Sequence, residues 1–98
     1  MAAKIVISSD ALSHIQNIGD YIETEEGSPE RSLQVVRALR ARCESLEILP
    51  ERGARFKSEY RRVFEGRYQI IYRVLGKGGD LVVLILVVHD MRRPEPEL

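Results

Sequence analysis

Tyr60 to Arg93 reads YRRVFEGRYQIIYRVLGKGGDLVVLILVVHDMRR, and its punctuation decides the fold. Three apolar runs, Tyr60 to Phe64, Arg67 to Leu75 and Leu81 to His89, are separated by Glu65-Gly66 and by Gly76-Lys77-Gly78-Gly79-Asp80. Short runs rich in β-branched and aromatic residues between glycine-bearing turns predict a three-stranded antiparallel meander. In the second run, Tyr68, Ile70, Tyr72 and Val74 share one face, while Gln69, Ile71, Arg73 and Leu75 share the other. The third run is apolar on both faces, which places it inside the sheet. Arginines sit at the strand ends and His89 closes the last strand. Any chemistry or anion contact is therefore expected on this sheet.

Working back toward the N-terminus, Lys4 to Ile7 (KIVI) is short and β-branched, so it reads as a first strand. Ser8-Ser9-Asp10 can cap a helix by offering side-chain oxygens to free backbone N–H groups. Leu12, Ile15, Ile18 and Ile22 then recur at helical spacing, and Gly27 suits a left-handed C-terminal cap. Gly19 weakens that helix unless close packing needs its missing side chain. Ser28-Pro29 restarts a helix with a capping hydroxyl and proline at the first position. Its apolar stripe is Leu33, Val36, Leu39, Cys43 and Leu46, with Val35 and Leu49 at the margins, and it should stop at Leu49 before Pro50. Ala54 to Glu59 reads as an irregular connector. The expected architecture is α+β: one strand, a two-helix antiparallel hairpin, then the meander, in one mainly antiparallel sheet. Glu95 to Leu98, with Pro94, reads as a loose tail on a single domain.

The chain has 98 residues, enough for one core and too few for two. Fifteen basic residues balance fifteen acidic ones, so no bulk charge draws the protein to nucleic acid. The charges are nevertheless sorted. Residues 10–30 carry six acids and no Lys or Arg, whereas residues 51–77 carry eight basic side chains against three acids. That local excess hints at an anionic partner surface. The single cysteine, Cys43, excludes an internal disulfide and fits a reducing cytoplasm; its place in a helical stripe makes it a buried small hydrophobe. Met1 to Ile7 is too short for a signal-peptide core. The longest apolar run, Leu81 to Val88, is far below the ~20 residues that span a bilayer. No phosphate loop, nucleophile elbow, paired catalytic carboxylates or metal-ligand spacing is present, so neither a cofactor nor a metal is expected.

Several local features combine more specifically. A first helix ends at a glycine, and a second runs into LEILPERG. A paired arginine, Arg61-Arg62, precedes GRYQIIYRV, and VVHDMRRP closes the last strand. Together they resemble the ParE/RelE superfamily of type II toxins over nearly the whole chain, and the ParE branch more closely. The resemblance implies the toxic half of a toxin–antitoxin module, neutralised by a cognate ParD-like antitoxin and associated with plasmid stabilization. ParE-like members inhibit DNA gyrase, whereas RelE-like members cleave messenger RNA on the ribosome.

For RNA cleavage, a group must take the 2′-OH proton, another must protonate the leaving oxygen, and cations must hold the phosphate. The candidates are His89 with Arg61, Arg62 and Arg73. RelE-like enzymes carry an arginine directly after the tyrosine that opens the second meander strand. Gln69 stands there in this chain, neutral and unable to take that part. A gyrase-directed reading is therefore preferred, with a recognition surface drawn from Arg61, Arg62, Arg67, Arg73, His89, Arg92 and Arg93. Arg61 and Arg62 point to opposite faces, so at most one serves a given surface. His14 reads as solvent-facing or a minor packing residue. Antitoxin contact is expected on apolar surface left uncovered at Val35, Leu49, Ile71 and Leu75.

Overall fold

The computed structural model describes residues 2–98. Strand β1 (Lys4–Ile7) leads into helices α1 (Ser9–Thr24) and α2 (Pro29–Glu44). Strands β2 (Ala54–Phe56), β3 (Tyr60–Glu65), β4 (Tyr68–Leu75) and β5 (Val82–Asp90) follow. The five strands form one sheet in the order β1-β5-β4-β3-β2. All neighbours are antiparallel except β1 and β5, which run parallel from Lys4↔Val82 to Ile7↔Ile85. The helical hairpin covers one face. No described helix is long and apolar enough to cross a membrane.

Both helices start where their capping residues direct. Ser8 Oγ accepts from the Ala11 N–H at 3.1 Å, and Ser28 Oγ accepts from the Arg31 N–H at 3.1 Å. The buried stripe of α1 is rotated from the expected one. Ala11, Ile15, Gly19 and Ile22 are buried, while Leu12 is 44% exposed. In α2 the inward residues include Ser32, Leu39 and Cys43, and Leu33 is 51% exposed. The cause is the contact between the helices. The buried Ser32 hydroxyl donates to the Gly19 carbonyl at 2.7 Å, and a Cβ on Gly19 would lie 2.9 Å from Val36 Cγ2. Gly19 is thus the close-packing glycine, and the helices turn to let their backbones meet there.

Two expectations about the chain after α2 need correction. The helix does not reach Leu49. It ends at Glu44, followed by a 3-10 turn over Ser45–Glu47. Leu49 takes a left-handed conformation, φ 56 and ψ 61, instead of the extended one usual before proline. The stretch expected to be irregular instead contributes the fifth strand, since Ala54–Phe56 pairs with Tyr60–Arg62. Three residues are too few to show alternation in the sequence.

The core gathers Ile15, Leu39, Cys43 and Leu46 from the helical side against Val63, Tyr68, Ile70, Tyr72, Val83, Ile85 and Val88 from the sheet. Cys43 is fully buried, and burial pushes its thiol up to about 11. Tyr72 is fully buried too, but its hydroxyl is satisfied: it donates to the Pro50 carbonyl at 2.7 Å and accepts from the Gly53 N–H at 3.0 Å. Gly53 has ordinary extended geometry, φ −66, so the glycine is needed for space. A Cβ there would collide with the Tyr72 hydroxyl. Gly53→Ala should therefore destabilise the fold by about 1–3 kcal/mol, as overpacking does. Urea unfolding would read this as a lower midpoint, and an unchanged midpoint would refute the packing argument.

Candidate functional site

Alternation sends Tyr68, Ile70 and Tyr72 of β4 toward the helices and Gln69, Ile71 and Arg73 to the opposite, open face. On that face β3 contributes Arg62 and Phe64, and β5 contributes Val87 and His89. In register, Arg62 faces Ile71, Phe64 faces Gln69, and Gln69 faces His89. Arg62 lies over two rings, its guanidinium 4.4 Å from the Phe56 centroid and 5.4 Å from that of Phe64.

A hydrogen-bond chain crosses this face. Arg62 Nη1 donates to Gln69 Oε1 at 3.2 Å, and Gln69 Nε2 lies 2.9 Å from His89 Nδ1. His89 Nε2 lies 2.9 Å from the Pro94 carbonyl. The two ends fix the direction, because a guanidinium only donates and a carbonyl only accepts. Gln69 must then offer its N–H to His89 Nδ1, and His89 must carry its hydrogen on Nε2. Both ring nitrogens are occupied. Gln69 is 3% exposed, so the chain satisfies a buried amide that would otherwise be costly. Arg62 Nε remains buried without a partner.

Apart from Arg73, the remaining basic candidates do not converge on this face. Arg61 points to the other side, where Nη1 donates to the Glu51 and Gly53 carbonyls at 3.0 Å each and Nη2 pairs with Glu51 at 3.5 Å. Arg67 and Arg92 belong to an ionic cluster next to His89, at the Tyr68–Asp90 end of the β4–β5 pair. Arg67 Nη2 meets Glu26 at 3.2 Å and its Nε lies 3.7 Å from Asp90 Oδ2, while Arg92 grips Asp90 at 2.8 Å. Arg31 adds a second contact to Glu26 at 3.2 Å. The hydrogen bond from Arg92 holds the Asp90 carboxyl below its ordinary value, against the opposing effect of burial. Arg93 lies 5.6 Å from the Tyr21 ring centroid. Arg73 makes no hydrogen bond or ion pair with the described residues. Of the seven expected recognition residues, Arg62, Arg73 and His89 share the open face, Arg67, His89 and Arg93 line one cleft, and Arg61, Arg67 and Arg92 are held in ion pairs.

The apolar candidates separate as well. Ile71 was expected at the surface and is fully buried. Its register neighbours are Arg62 and Val87, so it lies between two flanking strands, with the long Arg62 side chain beside it. Val35 and Leu75 are half-buried, whereas Leu49 is 70% exposed and the adjacent Ile48 is 60% exposed. His14, read as solvent-facing or a minor packing residue, is half-buried and makes a specific bond. Its Nδ1 accepts from the Val88 N–H at 3.2 Å, supplying a partner to β5 beyond Ile85, where the pairing with β1 ends. A cleft of about 390 Å³ lies between α1 and this end of β5, lined among others by His14, Ile18, Tyr21, Tyr68, His89 and Arg93. Nothing in the spacing around His14 signals that role. Gln69 was singled out only for its missing charge, and its part in ordering His89 depends on strand register.

With this geometry in place, the chain can be set beside known proteins. Residues 5–94 match the model of the ParE toxin of the type II toxin–antitoxin system, parDE. The chain belongs to the ParE toxin family. Comparison with curated proteins found no match. A solved structure described as the chromosomal ParDE TA system from P. aeruginosa is similar in fold. It has a TM-score of 0.66 and 20% identity, covering 86% of this chain and 94% of that one. The α+β architecture is thus shared with a ParDE structure, β2 being an addition to the strand set read from the sequence.

Two outcomes follow from the site's electrostatics. A depressed carboxyl contributes stability above its unfolded value, near 3.8 for Asp90, and loses it as pH falls through the lower folded value. Acid unfolding of the wild type should steepen from about pH 4 downward, and Asp90→Asn should flatten that segment while lowering stability at pH 7. Nitrogen-15 NMR should show His89 as the Nε2–H tautomer at pH 8. An Nδ1–H signature there would mean the chain runs another way.

Proposed function

We propose that this ParE-family toxin acts by binding DNA gyrase without chemistry of its own, and that a cognate ParD-type antitoxin silences it. One observation carries the preference for recognition over cleavage: His89, the best acid–base candidate, has both ring nitrogens committed to Gln69 and Pro94. General acid–base catalysis requires a nitrogen within reach of the substrate proton. Arg62, the cation nearest it in the chain, is likewise engaged by Gln69 and stacked over aromatic rings. The positive charge that RelE-like enzymes place after the opening tyrosine is replaced by the amide that organises this network.

Recognition would fall to basic side chains without an acidic partner. Arg73 on the open face and Arg93 at the rim of the α1–β5 cleft meet that condition; Arg67 and Arg92 do not. The description of the solved relative as a ParDE system supports a paired antitoxin for this chain too.

The purified toxin should inhibit supercoiling by gyrase in vitro, and added antitoxin should restore it. Arg73→Glu should weaken the inhibition at least tenfold with little change in melting temperature. Codon-specific messenger RNA cuts on expression without antitoxin, with supercoiling intact, would instead establish the RelE-like activity.

A further inference from the structure

We propose that Ile48 and Leu49 form a strained apolar hook by which the antitoxin grips this toxin, entering an apolar pocket rimmed by lysine or arginine. The proposal rests on the reading of the chain as one neutralised by a cognate antitoxin, and it locates the grip.

Ile48 and Leu49 are 60% and 70% exposed and are consecutive. The other strongly exposed aliphatic residues, such as Leu12 and Leu33, occur singly, as on any soluble surface. Leu49 also has φ 56 and ψ 61, a left-handed conformation that a residue with a Cβ rarely adopts. Such a conformation persists only where its surroundings over-determine it, and here they do. The Leu49 carbonyl accepts from the Arg52 N–H at 3.1 Å. Arg52 Nη2 reaches back to the Ser45 carbonyl and hydroxyl at 2.8 and 2.6 Å. The next residue, Pro50, is fastened to the buried Tyr72 hydroxyl at 2.7 Å. The Ala3 N–H meets the Glu47 carbonyl at 2.9 Å on the other flank. Rigid backing on both sides, with two large apolar side chains pushed into solvent, is the form of a preorganised anchor.

Charge defines the complementary surface. Glu44, Glu47 and Glu51 are exposed around the hook. Arg42 is directed away, to the Phe64 carbonyl at 3.2 Å, and the Arg52 guanidinium stays in the loop on Ser45, so residues 44–53 carry three acids against one arginine. Among the described residues Glu51 has a single ionic contact, with Arg61 at 3.5 Å, and its side chain is 65% exposed. An apolar tip inside an acidic rim favours a basic-rimmed pocket on the partner. Of the apolar residues expected to meet the antitoxin, Leu49 is also the one the fold leaves most exposed.

The test uses the full-length toxin and the purified antitoxin encoded beside it, with affinity measured by calorimetry. Leu49→Asn keeps a residue that tolerates the left-handed region but removes the apolar tip. Its melting temperature should equal or exceed that of the wild type, while the antitoxin Kd should rise at least tenfold. Ile48→Ser, at an ordinary extended residue, should show the same loss and stands in if Leu49→Asn folds poorly. Glu44→Lys with Glu47→Lys should also weaken binding, most at low salt. Less than a tenfold rise for both hook variants would overturn the proposal, and so would an unchanged affinity on charge reversal. If gyrase inhibition fell while antitoxin affinity held, the hook would belong to the target. Failure of the wild type to bind antitoxin would instead sink the toxin–antitoxin reading from which the proposal starts.

Discussion

The hydroxyl of Tyr72 sits in the core with both its hydrogen-bonding capacities used, giving to the Pro50 carbonyl and taking from the Gly53 N–H. Burial of the phenol raises its pKa, so it stays neutral and keeps its donor hydrogen at ordinary pH. Much of the architecture beyond the helices depends on this contact. It fixes the turn after α2, and so sets where β2 begins and how β2 meets β3. It also holds Leu49 in an unfavourable conformation at the surface. The glycine at position 53 is the space that lets this hydroxyl approach the backbone.

A second constraint acts nearer the start of β4. Gln69 is buried and must be satisfied on both sides of its amide, and Arg62 and His89 provide the partners. The histidine is consequently held in one tautomer with no nitrogen to spare. The same economy governs the arginines: Glu26 and Asp90 gather Arg31, Arg67 and Arg92 into a cluster that ties the loop after α1 to the end of the sheet. The basic excess in residues 51–77 is therefore spent partly on internal ion pairs, leaving a smaller free surface than a count of charges suggests.

The meander was legible because its turns are marked by glycines and its strands by aliphatic and aromatic runs. The caps at Ser8 and Ser28 were legible because side-chain capping is a local interaction. The shared face of Tyr68 and Tyr72, and the opposite facing of Arg61 and Arg62, followed from alternation alone. The rotation of α1 and α2 was not visible, because it comes from the approach of Gly19 to Ser32 and Val36 across two helices. Neither was β2, whose three residues show no period and become a strand only by pairing with Tyr60–Arg62. Ile71 was misplaced for the related reason that alternation assigns a face but does not say what lies over it.

The sequence by itself determined the first strand, the two helices, the meander, the interior place of β5 and the family to which the chain belongs, since these depend on periodicity, caps, turns and local motifs. Tertiary structure decided which of the candidate residues meet. It joined Arg62, Gln69 and His89 through register, paired Arg67 with Glu26 and Asp90, acids distant in the chain, and left Ile48 and Leu49 outside. Register, helix approach and ion pairing are relations between segments, and a linear chain does not display them until it is folded.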